Sequence, residues 1–486
     1  MSQKLILGLD IGTSSVRAAL YDMQGAIIPK LFVKTEWSFK ATPDGGSEID
    51  SGAALKTVVR VIDDLLAASN KIDGEIEYVA SCALWHSLVG VDEGGKPTTK
   101  VLGWADTRSR EFGAVLRKGF DERTIHNRTG ASFHSSFWPA KLLWLRKQFP
   151  DVFARTARWL SLSDFIAMKL SDGPTTSVSM ASGTGVFDIR KCDWDDELLR
   201  FLKIPRSKVP AIPAHDGDGF QLNRRFAKRW PRLQNSKWFP AIADGAANNI
   251  GAGCVTKERA ALMVGTSGAM RVAYEGKPPA KIPDGLWCYR IDRRRVIIGG
   301  ALSDGGGLYQ WLRETVRLDP RTESAIAKRA PGSNGLVFLP FLAGERSTGY
   351  NEDATGAIVG LRSSTDASDI LQAALESVAF RFAEIFDRLN VVCKIREIVA
   401  SGGAIDESPV WTQIISDVLG RDITVSEASE ASMRGAALLA LRSEGVIKKA
   451  NTNDTVLPVI KANPERNRIY RQARARHRQL YDILIR

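Results

Sequence analysis

Two stretches of the chain place a glycine and several hydroxyls between apolar runs. In LILGLDIGTSSVRAALYD (5–22), Asp10 ends one run, and Gly12, Thr13 and Ser14 lead into the next, which carries Arg17. In ALMVGTSGAMRVAY (261–274), Gly265, Thr266 and Ser267 stand between similar runs, with Arg271 in the second. Turns rich in backbone N–H and hydroxyl donors can hold phosphate oxygens, and a carboxylate beside one can hold a hydrated metal ion. An ordinary β-hairpin explains either stretch taken alone. No Lys follows Gly12, so this is not a P-loop, and one glycine is not a dinucleotide fingerprint.

Other residues suit the same chemistry. An apolar run precedes Asp244-Gly245 in WFPAIADGAANNIGAG (238–253). A carboxylate emerging from a buried strand is poorly solvated, which favours a general base if a hydroxyl lies nearby, although a turn aspartate would look the same. Trp85-His86 closes the strand-like EIEYVASCALW (75–85), and an aromatic beside a polar hydrogen-bonder can grip a sugar or polyol; a lone core histidine is the plainer account. GWADTRS (103–109) brings Arg108 into the same half. Gly305-Gly306-Gly307 opens a helical pattern, and Gly402-Gly403 follows the strand-like REIVAS. Each pair or triple admits a nucleotide or simply a flexible turn.

The elements that must position these residues alternate. The 366–389 segment reads as an amphipathic helix capped by Asp366 or Ser368, with Ile370, Leu371, Ala374, Leu375, Val378 and Phe382 inward. ASMRGAALLALRSEG reads as another helix, closed by Gly445. The repeated Gly-Thr-Ser word recurs about half a chain length later, with similar flanks. That spacing predicts two similar α/β halves, each opening on a strand–loop–strand unit, with a cleft between them.

Composition narrows the function classes. A chain of 486 residues exceeds one compact core, and two domains are expected. No apolar run approaches a membrane span and no signal-peptide pattern opens the chain, so a cytoplasmic protein without a membrane partner is expected. Five scattered cysteines (Cys82, Cys192, Cys254, Cys288, Cys393) argue against a disulfide framework and a zinc site. The net charge of +12 raises nucleic acid as a partner. Half of that charge lies in residues 461–486, where Ile469, Ala473, Leu480 and Leu484 fall near one helical face. A docked helix with a basic solvated side explains the tail better, so no nucleic-acid partner is expected.

These segments resemble the FGGY carbohydrate kinases of the actin–Hsp70–hexokinase superfamily. The most specific is GAIVGLRSSTDASDILQAALE (356–376), similar to the family's C-terminal signature. SGGAIDESPVWTQIISDVLGRDI, EASMRGAALLAL, KLLWL and LDIGTSSVRA also resemble family segments, from about residue 4 to residue 445. The resemblance implies an α/β fold of two actin-like, ribonuclease H-like domains, here 1–246 and 247–486, around an interdomain cleft. It implies ATP and Mg2+, with Thr13, Ser14 and Arg17 on phosphate and Asp10 holding the metal through water. Asp244 is implied as general base, and Trp85 and His86 as substrate contacts. Gly265, Thr266, Gly306, Gln310, Gly402 and Gly403 fall in the nucleotide-binding segments. Glu407 stands where some members carry Asn, and Trp138 departs from a usual small residue. GTSGAMRV, GWADTRS and LPFLAGERSTGYNEDATG are most similar to gluconokinases, which commonly continue GER with Ala-Pro where this chain has Ser347-Thr348. Gluconate carries a carboxylate, for which His86 and Arg108 are the cationic or donor candidates. Xylulokinase or another pentulose or polyol kinase is the alternative within the family. An actin-fold ATPase without sugar kinase activity, such as a chaperone or filament protein, is the alternative outside it. The expected partner is a small sugar or sugar acid, and a homodimer is compatible with the sequence.

Overall fold

In the computed structural model, residues 3–173, 175–319, 321–426, 430–447 and 457–485 are described. Two large sheets dominate, and they repeat one plan. In the first, Gln3–Ile11 pairs antiparallel with Ser15–Asp22, which pairs antiparallel with Ile27–Glu36. On its other side Gln3–Ile11 runs parallel to Gly74–Ala83, and the short strands Lys237–Trp238 and Ile242–Ala243 join beyond. In the second, Arg259–Val264 pairs antiparallel with Gly268–Glu275, and that strand with Arg295–Leu302. Its parallel neighbour is Glu397–Ser401, followed by Ile423–Val425. Both Gly-Thr-Ser words are therefore hairpin turns at equivalent places. The central strands are apolar without alternation because both faces are covered: Leu5, Ile6, Leu7 and Leu9 are all buried.

The two turns differ by one residue. The last pair before the first turn is Ile11 with Val16, and before the second it is Val264 with Gly268. Arg17 therefore adjoins its turn, opposite Asp10, while Arg271 lies two residues further along, opposite Ala261.

Helix Ala367–Val392 is capped by Asp366, whose side chain accepts from the Asp369 amide while Asp369 caps in return. Ser368 has no capping role. The helix is buried all round through its middle, including Gln372, Glu376, Arg381 and Glu384, so a single apolar face understates its environment. Helix Ala431–Ser443 lies late in the sequence yet packs on the first sheet: Met433, Ala436, Ala437 and Leu441 meet Ile6, Ala19, Tyr21 and Cys82. It also crosses helix Asp244–Gly251 at backbone distance. A Cβ on Gly251 would meet the Ala431 carbonyl oxygen at 1.9 Å, and one on Gly435 the Ala247 carbonyl oxygen at 1.9 Å.

The C-terminal helix Pro464–Leu484 docks, on a face one residue away from the expected one. Its buried residues are Asn467, Tyr470, His477 and Tyr481, whereas Leu484 is exposed and Ile469, Ala473 and Leu480 are half-buried. Aromatic and histidine side chains carry the contact, which a search for aliphatic residues passes over. Its arginines are partly spent on acids of the second half, with Arg466 at 2.9 Å from Asp417 and Arg474 at 2.7 Å from Asp387. No helix among the described residues is long and apolar enough to cross a membrane.

The glycine crossing yields a test. Gly435→Ala drives a methyl into the Asp244 helix, and overpacking of this kind costs roughly 1–3 kcal/mol. Thermal melts are expected to show a lowered Tm; an unchanged Tm contradicts the described helix contact.

Candidate functional site

Asp10 and the residue before Asp244 stand at the same edge of the first sheet, on strands that flank Gly74–Ala83. Asp10 is in register with Cys82, and Cys82 with Ile242, so Asp244 emerges two strands away at the same edge of the sheet. Asp10 is buried, with the Cys82 thiol donating to it at 3.4 Å. Arg17 approaches Asp10 only to 3.9 Å and sits at 3.0 Å from Glu430 instead. Burial, reinforced by the charge of Asp244, pushes the Asp10 carboxyl up to about 7. Asp244 begins a helix, and the hydrogen bond to its carboxylate is from the adjacent Gly245 amide at 2.6 Å. Burial raises its pKa above the usual range, opposed by Arg271 and Arg346. A base held above the ordinary carboxylate value takes a proton more readily near neutrality.

An aromatic wall adjoins Asp244. Trp85 meets Tyr289 at a centroid distance of 5.0 Å and His86 at 5.9 Å, and His86 meets Phe137 at 4.9 Å. A Cβ on Gly245 would lie 2.3 Å from Arg271 Nη1 and 3.3 Å from Trp85 Cζ3, which puts both side chains against the residue after Asp244. Trp85 Nε1 is spent on the Ser179 carbonyl at 3.0 Å, so the ring presents its apolar surface. His86 Nδ1 lies 2.5 Å from the Gly183 carbonyl. A carbonyl only accepts, so Nδ1 carries the proton and Nε2 is left as an acceptor. Burial holds this imidazole neutral, its pKa well below the usual value.

The cations divide differently from the sequence expectation. Arg108 is neutralised where it stands, 2.6 Å from Asp106 and 3.0 Å from Glu48, with its guanidinium over Trp144. Arg346 has no ion pair among the described residues. It lies over the Trp104 ring at 5.0 Å and close enough to Asp244, His86 and His134 to shift all three. Lys141 is completely buried, bonded to the carbonyls of Ser136 at 2.6 Å and His86 at 3.3 Å, and burial pushes its amine down to about 7.

The two turns expose their hydroxyls. Thr13 and Ser14 are exposed, Thr13 Oγ1 accepting from Trp104 Nε1 at 3.2 Å, while Ser15 turns inward to Arg17 Nε at 3.0 Å. Thr266 is exposed, and its turn is clasped by the triple glycine. The amides of Gly305 and Gly307 donate to the Thr266 carbonyl at 3.0 and 2.9 Å, and that of Gly306 to Gly265 at 2.7 Å. Cβ atoms on these glycines would strike the same turn, within 2.7 to 3.0 Å. The triple glycine is thus required by a close backbone approach within the protein. Gly402, at φ +108°, abuts the Val264 carbonyl oxygen, and a Cβ on Gly306 would touch Ala404. Gly265, Thr266, Gly306, Gly402 and Gly403 therefore share one surface, with Gln310 exposed one turn further along its helix and bonded to Glu314 at 3.0 Å. Glu407 is exposed at the end of helix Gly403–Glu407. Trp138 is a core residue, donating to the Ser87 carbonyl at 2.9 Å and stacked on Trp194.

Comparison with known proteins agrees with this architecture. Residues 5–231 match the N-terminal domain of the FGGY family of carbohydrate kinases, and residues 260–444 match its C-terminal domain. The chain belongs to the FGGY family of carbohydrate kinases. It is 27% identical over 458 residues to a gluconokinase of Bacillus licheniformis, covering 91% of this chain and 88% of that one. The crystal structure of a gluconate kinase from Lactobacillus acidophilus superposes with a TM-score of 0.90 at 27% identity, covering 100% of this chain and 99% of the other. A xylulose kinase from the same organism gives the same TM-score at 26% identity, covering 99% and 98%. The FGGY kinase fold of two actin-like α/β halves is thereby shown, while the fold alone does not separate the two sugars.

Three polar groups near Asp244 and His86 are absent from the sequence-based candidates. Arg346 lies in the GER segment quoted for the likeness, and Lys141 opens KLLWL. Tyr289, whose buried hydroxyl has no hydrogen bond among the described residues, lies in strand Trp287–Arg290. A signal existed only for Arg346, as a charge inside an apolar and glycine-rich stretch.

The raised Asp10 carboxyl sets a stability test. The folded state holds this proton more tightly than the unfolded chain does. Its stabilising contribution is therefore lost as pH rises from the ordinary carboxylate range to about 7. Asp10→Asn is expected to raise Tm at about pH 8 and to change it little at about pH 4. A variant less stable than wild type at the higher pH contradicts the uncompensated charge.

Proposed function

We propose that this FGGY kinase transfers the γ-phosphoryl group of ATP to a hydroxyl of a sugar acid, with gluconate giving 6-phosphogluconate. The observation that carries the sugar-acid reading is Arg346, a guanidinium without a carboxylate partner among the described residues, set over Trp104 and beside Asp244. A substrate carboxylate supplies the missing anion, and arginine binds carboxylates through two parallel hydrogen bonds. Arg108 has no such capacity left after Asp106 and Glu48.

In this reading the sugar lies against Trp85 and His86, with neutral His86 Nε2 accepting from a substrate hydroxyl. Asp244 takes the proton of the attacking hydroxyl, its raised pKa suiting it to the task. Thr13, Ser14 and Arg17 on one turn, and Gly265 and Thr266 on the other, hold the phosphates. Gly306, Gln310, Gly402 and Gly403 line the nucleotide side. Phosphoryl transfer asks for positioning and neutralisation of charge rather than for a covalent intermediate, which such groups supply.

Mg2+ fits the residues present. Asp10 is a buried carboxylate whose nearest cation is shared with Glu430. No group of three or more His, Cys, Asp or Glu that could hold a metal occurs among the described residues. Asp10 is the residue that would hold a hydrated Mg2+, an ion that commonly keeps several of its waters and is bound through one or two carboxylates and substrate phosphates. When bound it neutralises phosphate charge in the transition state.

Two experiments test the reading. Asp244→Asn is expected to leave ATP affinity nearly intact and to lower turnover by about 10²–10⁴-fold; wild-type turnover removes Asp244 from the mechanism. Coupled ADP release is then measured over gluconate, xylulose, ribulose, glycerol and erythritol. Gluconate is expected to give the highest kcat/KM, and Arg346→Gln to raise the KM for gluconate about tenfold or more while leaving that for glycerol near its starting value. A preference for xylulose, or equal losses on both acceptors, contradicts the gluconate assignment.

A further inference from the structure

The FGGY C-terminal domain match ends at residue 444, and the helix Pro464–Leu484 lies beyond it. That helix is built into the back of the loop carrying Arg346. Glu345 is buried and accepts from the Tyr481 hydroxyl at 2.7 Å, from the Gly349 amide at 3.0 Å and from the Arg381 guanidinium. Arg381, itself buried, also reaches Glu384 at 3.2 Å. Glu384 accepts from the Thr348 hydroxyl at 2.9 Å and meets Arg478 of the C-terminal helix at 3.4 Å. Beyond the loop's turn, Asn351 Nδ2 donates to the Ile485 carbonyl at 2.6 Å. From the other side, Ser347 exchanges bonds with Ala301, amide to carbonyl at 2.9 Å and amide to Oγ at 3.0 Å.

Both neighbours of Arg346 are thus fixed. Ser347 and Thr348, where the sequence departs from the gluconokinase pattern, turn their hydroxyls into this scaffold. A buried carboxylate with three donors has little freedom to rotate, and the next residue in the chain inherits that restraint. We infer that the C-terminal helix is a positioning element for the sugar substrate: Tyr481, through Glu345, sets where the Arg346 guanidinium stands over Trp104. The inference rests on the reading of Arg346 as the group that holds the acceptor.

The test uses full-length enzyme with Mg-ATP and whichever acceptor of the panel wild type turns over best, so it does not require that acceptor to be gluconate. Tyr481→Phe removes the hydroxyl and keeps the ring against Phe341 and Arg381. The acceptor KM is expected to rise about fivefold to tenfold, with the KM for ATP and kcat within about twofold. The same substitution in an Arg346→Gln background is expected to add little, because the group being positioned is gone. Tyr470→Phe, buried on the same helix away from Glu345, is expected to leave the acceptor KM unchanged. Should Tyr481→Phe not fold, Arg478→Gln, which loosens Glu384 and Thr348, is read in the same way. An unchanged acceptor KM, equal rises for acceptor and ATP, or full additivity with Arg346→Gln overturns the inference. A wild-type preference for xylulose would overturn the gluconate reading and leave this test standing.

Discussion

The structure depends on a seam of charge between its two halves. Asp10 and Asp244 project from the same edge of the first sheet, on either side of strand Gly74–Ala83, where burial makes both carboxylates costly. The cations that reach Asp244 come from the other half: Arg271 from the second hairpin and Arg346 from a later loop. Arg17 of the first hairpin instead pairs with Glu430, which caps the late helix packed on the first sheet. The site therefore exists only where the halves meet, which is also where closure would exclude water from a phosphoryl transfer.

Close backbone contacts hold this seam in place. Gly251 and Gly435 let the Asp244 helix and helix Ala431–Ser443 cross without side chains between them. The same late helix lies on the first sheet beneath Asp10, so one element touches both carboxylate-bearing segments. On the other side, Gly305 to Gly307 clasp the Thr266 turn. Glycines that look like a ligand-facing loop in the sequence prove to be the means by which one loop is held against another. Thr266 itself remains exposed at the tip of that turn.

What was legible in the sequence was local. The two hairpins, the helix cap at Asp366, the strand before Gly402 and the emergence of Asp244 from an apolar run all follow from neighbouring residues. The pairing of charges was not legible. Arg108 looked like a free cation because Asp106 is two residues away and Glu48 sixty, and nothing local says that both turn toward it. Arg346 carries no local signal of its state because its lack of an ion pair among the described residues is a fact of tertiary packing. The tail docks one position away from its aliphatic stripe, since its contact face is built from Tyr470, His477 and Tyr481. Likewise, the return of helix Ala431–Ser443 to the first sheet spans most of the chain and has no short-range signature.

In the proposed function this seam directs the γ-phosphoryl group to a sugar-acid hydroxyl and not to water. The most direct measurement follows the fate of that phosphorus by ³¹P NMR in wild-type enzyme with Mg-ATP, with and without gluconate. The account predicts a phosphomonoester of gluconate appearing in step with ADP, and almost no inorganic phosphate when gluconate is omitted. Release of inorganic phosphate at the same rate whether or not gluconate is present would contradict it.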